Sequence, residues 1–212
     1  SHFTPRAYAN YTITPEITLR GGIAKGFKTP TIRQSNPNYC MTSGGADLPR
    51  GPLCGNPDLK PEESTTKEIG LRYDGEGRLS FGLTLFHTNF KNKVVSFITE
   101  FDDPINPARP LYVYGNVERV VIKGVELNGK LPITPALLLS ANYTYTDSVR
   151  KGGGEPAFDG GSLDGQPLDK TPEHMANVRI DWQATEQVSV YALAYYTGKQ
   201  YYSGFRNGAL NT

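Results

Sequence analysis

The chain has no apolar run near the roughly 18 residues that a membrane-crossing helix needs. That leaves a soluble β protein or a membrane β-barrel, whose lipid face hides in period-2 alternation. Net charge is scarce too: 22 Lys and Arg stand against 21 Asp and Glu, a balance of +1. No global field therefore directs the chain to nucleic acid. Hydrophobic residues make up 37%, somewhat little for a globular domain. The three histidines, His2, His87 and His174, are scattered, and two cysteines cannot complete a zinc site by themselves. Neither GxSxG nor HExxH occurs, and no nucleophile constellation stands out. We therefore expect no enzyme, no catalytic residues, no protein-bound metal and no cofactor. The opening "SHFTPRAYANYTI" alternates from the start, without initiator Met or basic leader, and reads as a fragment or a processed chain.

What is plentiful is Tyr (13) and Gly (23). Apolar and small residues recur at every second position. Ile17, Leu19, Gly21 and Ile23 do so, then Ile69, Leu71 and Tyr73, then Leu79, Phe81, Leu83 and Leu85. Leu137, Leu139, Ala141, Tyr143 and Tyr145 continue the pattern, as do Val178, Ile180 and Trp182. Each set alternates with polar or small residues, which is strand periodicity with one apolar face. Residues 117–131 break it: Val125, Leu127 and Leu131 fit one face while Val120 and Ile122 fall on the other. A bulge near Gly124 would reset the register.

Connections alternate between short and long. Short ones fall at Thr14–Glu16, Asp74–Gly77, Pro132–Pro135 and Ala184–Glu186. Long ones fall at about 27–63, 98–111, 148–172 and 203–212. This places every long loop at one end of an all-β, antiparallel up-and-down meander of about eight strands. Several strands approach the length that crosses a bilayer when tilted. Phe86, Phe90, Tyr143, Tyr145, Trp182, Tyr195 and Tyr196 sit near strand ends, as interfacial girdle residues do. Arg20, Arg72, Glu126, Asn128, Arg179 and Asp181 fall on the inner face, which suits a wide, wet lumen. The alternative is a soluble β-sandwich adhesin or carbohydrate-binding module, with the leucine-rich faces buried as its own core.

The segments "GFKTPTIRQSNPNY" (26–39), "GNPDLKPEEST" (55–65), "EIGLRY" (68–73), "LTLFHTNFKNKV" (83–94), "YGNVERVVIKGVEL" (114–127), "NYTYTDS" (142–148), "PEHMANVRIDW" (172–182) and "YYTGKQ" (195–200) follow in this order. Together they resemble the C-terminal half of the barrel of TonB-dependent outer-membrane receptors, most nearly the ferric enterobactin and colicin I receptor branch. The resemblance covers nearly the whole chain. It implies a barrel of about 22 strands, of which residues 1–212 would form a partial β-barrel domain. The plug, the TonB box and the final strands would lie outside it. It further implies import of a ferric siderophore, with iron present only inside its chelate. The implied location is the bacterial outer membrane, with long loops extracellular and short turns periplasmic. Implied partners are the siderophore, the TonB complex, outer-membrane lipid and colicin-like toxins or phage; no nucleic acid is expected.

Candidate ligand contacts follow from the chemistry of a ferric catecholate, which is anionic and aromatic-rimmed. Guanidinium and ammonium groups offer charge, and tyrosine offers stacking. The first long loop carries Lys28, Arg33, Tyr39 and Arg50, and the second carries Arg109, Tyr112 and Tyr114. Simple solvation of these loop charges is the alternative for each. Cys40 and Cys54 are near neighbours in the first loop, a placement that suits a local disulfide and an oxidising compartment, with free thiols as the alternative. Adjacent Asp102 and Asp103, like Glu62 and Glu63, point apart on extended backbone and make no acid–base pair. The Gly- and Asp-rich third loop lacks EF-hand or GGxGxD spacing and reads as a flexible loop.

Overall fold

The computed structural model describes residues 3–45, 48–152 and 161–201. The strands are β1 (Arg6–Thr14), β2 (Ile17–Lys28), β3 (Cys40–Gly45), β4 (Leu48–Cys54), β5 (Glu62–Asp74), β6 (Ser80–Asp102), β7 (Pro110–Thr134), β8 (Leu137–Lys151), β9 (His174–Gln183) and β10 (Ser189–Thr197). A single short helix, α1 (Ile32–Ser35), lies between β2 and β3 among the described residues. Eight strands form the expected antiparallel meander, in the order β1-β2-β5-β6-β7-β8-β9-β10. The remaining two make a hairpin inside the first long loop. Short turns collect at one end of the sheet and long connections at the other, as their alternation requires. The long connection expected at 203–212 lies outside the described residues.

Register sorts the side chains into rows across the sheet. One runs Tyr11, Leu19, Leu71, Leu83, Leu127, Tyr143, Ala176 and Tyr196. Another runs Ile17, Tyr73, Phe81, Gly129, Ala141, Val178 and Ala194. These rows are open to the surroundings: Tyr11 is 69% exposed, Leu127 43% and Val178 41%. A soluble protein buries such a surface, since leaving a large apolar side chain in water forfeits about 1.5–3 kcal/mol. The opposite face is polar. There Arg20 pairs with Glu68 (3.5 Å) and stacks over Tyr8 (4.8 Å). Arg179 holds Asp181 through two nitrogens and lies over Tyr191 (4.3 Å), while the Asn142 amide donates to Asn177 Oδ1 (2.9 Å).

Four expectations change. No bulge forms at Gly124; β7 keeps one register with β6 and β8 through it. Gly124 is there for close approach: a Cβ would lie 2.1 Å from the Tyr145 carbonyl and 2.6 Å from the Phe86 ring. The change of sidedness comes further on, where left-handed Asn92 (φ 54°) stands at the unpaired rung opposite Glu118, and burial switches from Val120 to Val117. Second, half of 98–111 is strand, because β6 and β7 extend well beyond the apolar rows and only 103–109 turns. Third, Phe86, Phe90 and Tyr195 fall on the polar face by register, so only Tyr143, Tyr145, Trp182 and Tyr196 of the expected girdle face outward. Fourth, the described part of the third long loop is packed rather than loose. Leu168 joins Val117 and Val120 in a buried cluster, and its N–H donates to the buried Ser148 hydroxyl (3.0 Å).

Candidate functional site

The long-loop end carries a folded cap built mostly from residues 29–61. Beyond β2, Thr31 opens α1 with a capping box: its hydroxyl accepts the Gln34 N–H (3.3 Å), and Gln34 Oε1 accepts the Thr31 N–H (2.9 Å). A helix this short cannot sustain itself by propagation, so the cap residues hold it. α1 sets the Arg33 guanidinium 5.4 Å from the Tyr39 ring centroid, within cation–π range. β3 and β4 then pair with Cys40 directly opposite Cys54, and the two form the expected disulfide. Closing a loop of this size contributes about 3 kcal/mol in the chain-entropy account.

The hairpin is docked on β7. β8 ends at Lys151 opposite Arg119, which leaves the edge of β7 free further out. β4 takes that edge in parallel, with Leu53 opposite Tyr112 and Cys54 opposite Val113. The backbones meet closely at Gly51, where a Cβ would lie 1.9 Å from the Pro110 carbonyl. Leu53 and Tyr112 are buried by this contact, and the Tyr112 hydroxyl donates to the Pro49 carbonyl (2.6 Å). Burial pushes the Tyr112 phenol above its ordinary pKa.

Asparagines tie down the descending limb. Asn56 donates its backbone N–H to Gln34 O (2.7 Å) and its side-chain amide to Tyr114 O (2.9 Å). The Asn116 amide brackets Lys60, accepting its N–H (2.8 Å) and donating to its carbonyl (2.9 Å), as a strand partner would. Glu62 is buried, and its carboxylate accepts the Val94 N–H (2.8 Å) and the Lys28 ammonium (2.9 Å). In the β6–β7 turn, Asp103 accepts the Ile105 N–H (2.9 Å) and the Arg109 guanidinium (2.6 Å). The Ile105 N–H, ahead of Arg109, holds this carboxyl below the usual carboxylate range against the opposing effect of burial.

The seven expected contact residues therefore divide. Arg33 and Tyr39 are brought together and exposed. Arg50 is exposed on β4, and Tyr114 reaches Met41 Sδ with its hydroxyl (3.9 Å). Lys28, Arg109 and Tyr112 are engaged with Glu62, Asp103 and Pro49, and they hold the cap together. Asn56, Asn116 and Glu62 carry structural weight that the sequence reading missed. For Asn116, asparagine inside a strand, disfavoured by propensity, was the available signal. Arg150 was missed as well. Nearly buried, it donates to the Pro167 carbonyl, pairs with Asp169 (3.3 Å) and faces the Tyr201 ring (5.8 Å). Among the described residues no group of three or more His, Cys, Asp or Glu could hold a metal. The cap offers cations and aromatic faces, the chemistry of recognition.

The family described as TonB dependent receptor-like, beta-barrel matches residues 1–212. The chain belongs to this family. As a TonB-dependent receptor barrel it is 36% identical over 209 residues to the iron-regulated outer membrane virulence protein of Vibrio cholerae, covering 94% of this chain and 29% of that one. It is 33% identical over 210 residues to the ferric enterobactin receptor of Pseudomonas aeruginosa, covering 94% and 26%. A crystal structure of a point mutant of that Pseudomonas receptor, in complex with enterobactin, superposes with a TM-score of 0.72 at 31% identity. There the match covers 93% of this chain and 28% of the other. This TonB-dependent receptor barrel thus spans between a quarter and a third of the length of these relatives.

Proposed function

We propose that this chain forms part of an outer-membrane receptor that binds a ferric catecholate siderophore at its long-loop end and imports it with TonB-coupled energy. The observation that carries the reading is the disulfide-tied cap, which sets Arg33 against Tyr39 at the mouth of a sheet with an exposed apolar face. The apolar rows suit contact with lipid, and the polar face suits a water-filled lumen. Long loops then face outward and short turns face the periplasm. A ferric tris-catecholate is anionic and rimmed by aromatic rings, so a guanidinium and a phenol ring match both features. Iron enters as cargo inside its chelator. The enterobactin receptors among the relatives support the catecholate class.

A soluble β-sandwich is not favoured. It would bury Leu79, Phe81 and Leu85 in its own core, yet they are 41%, 38% and 47% exposed.

The test uses the full-length receptor, titrated with ferric enterobactin and followed by quenching of intrinsic fluorescence. Binding at micromolar concentration or tighter is expected. Replacing Arg33 and Tyr39 together with Ala should weaken it several-fold. Absence of binding to any ferric catecholate at micromolar concentration would sink the ligand assignment.

A further inference from the structure

The hairpin of the cap keeps Met41 out of its dry interior. Met41 lies on β3 directly opposite Leu53, which is buried, yet Met41 itself is 37% exposed. The ladder of the hairpin runs one rung past Cys40, because the Gly55 N–H donates to the Tyr39 carbonyl (3.1 Å). Tyr39 and Met41 are therefore two residues apart on extended backbone and share a face, about 7 Å from one another. From β7 the Tyr114 hydroxyl reaches across and donates to Met41 Sδ (3.9 Å). Arg33 stands over the Tyr39 ring (5.4 Å). Guanidinium, phenol ring, thioether and second phenol thus follow one another across the cap. Residues 29–45 contain no Asp or Glu, so no carboxylate of this segment competes for Arg33.

We propose that Met41 is a ligand contact that makes this surface select aromatic chelates over other anions. The proposal rests on the catecholate reading and adds to it the residue that tells rings from charge. A guanidinium attracts any anion, because Coulomb attraction takes no account of rings. Arg33 by itself therefore does not separate a ferric catecholate from a ferric carboxylate chelate of similar charge. A thioether does. It is apolar and polarizable, and it makes favourable contact with the edge of an aromatic ring. Carboxylate oxygens placed against it would lose water without gaining a hydrogen bond. Sulfur is a weak acceptor, so the Tyr114 hydroxyl places the side chain without tying it down. The three rotatable bonds of methionine then let it follow a ring as the ligand settles. Tyr39 and Tyr114 flank it with ring faces of their own, against which a catechol can stack.

The experiment uses the full-length receptor in detergent micelles, with its methionine methyl groups labelled with carbon-13. The Met41 signal is assigned by its disappearance in Met41→Leu. Saturation with the diamagnetic gallium complex of enterobactin should move that signal upfield by ring current, and gallium citrate should not. In fluorescence titrations Met41→Ser should weaken ferric enterobactin binding about fivefold, and Met41→Leu, which keeps the apolar reach, should recover most of the loss. Raising salt should shrink the effect of Arg33→Gln and leave that of Met41→Ser unchanged, because only the first is Coulombic. Amide exchange across residues 40–54 should be the same in Met41→Ser and wild type. A Met41 methyl unmoved at saturation overturns the proposal. So does faster exchange of the hairpin alongside the loss of affinity, which would assign Met41 to packing. Failure of wild type to bind any ferric catecholate overturns the functional reading with it, whereas equally tight binding by wild type and Met41→Ser overturns this proposal alone.

Discussion

The wall of the sheet and the cap at its long-loop end treat apolar side chains in opposite ways. On the wall, Ile69, Leu85 and Trp182 stand open to the surroundings. In and beside the cap, Leu53, Tyr112, Val117, Val120, Leu163 and Leu168 are buried, and they are the buried hydrophobic residues among those described. The cap thus has a dry interior, a disulfide and a set of buried polar anchors, as a small water-exposed domain does. The wall has none of these and leaves its apolar rows for lipid to cover. The lesson is that burial here tracks the solvent each region meets: water selects a folded-in core, and hydrocarbon removes the need for one.

The largest test of this contrast is Tyr112→Ala, which empties the contact between hairpin and β7. About 3–5 kcal/mol of local stability should be lost, read as faster amide exchange across residues 40–54 in the full-length receptor. Tyr112→Phe should cost only about 1 kcal/mol, the worth of the Pro49 hydrogen bond. On the wall, Leu83→Arg should cost about 2–4 kcal/mol in a bilayer, measured by folding titrations in vesicles. The inward neighbour Thr84→Arg, whose cross-strand partner is Glu126, should cost far less. Equal penalties would break the assignment of faces.

Removing the disulfide with Cys40→Ser and Cys54→Ser should loosen the hairpin by about 3 kcal/mol, seen as protease cleavage within 41–53 while the barrel stays intact. The smallest effect concerns Asp103. Its folded pKa lies below the ordinary value, so its contribution to the β6–β7 turn is fully present above that ordinary value, about 4. It is lost as pH falls through the lower folded value. Amide protection of residues 103–109, corrected for intrinsic exchange, should stay flat from pH 7 to 5 and fall below about 4. Asp103→Asn should remove that fall.

The meander was legible because period-2 alternation and turn length are local signals. Leu79 to Leu85 and Leu137 to Tyr145 announce one apolar face without help from the rest of the chain. The reach of β6 and β7 into 98–111 was not legible. Those residues lie beyond the apolar rows, where packing against the cap and loops removes the contrast between faces. The division of the candidate site was hidden for a similar reason. Arg33 and Arg109 look alike in sequence, and only the position of Asp103 beside one and of Tyr39 beside the other separates them.

The sequence by itself determined the alternation of faces and the up-and-down order, and it put Cys40 and Cys54 near one another, since each depends on spacing along the chain. Tertiary structure alone decided which cations are exposed to meet a ligand and which anchor the cap. Those depend on register between strands distant in sequence. A shift of one residue in that register would move every side chain to the other face.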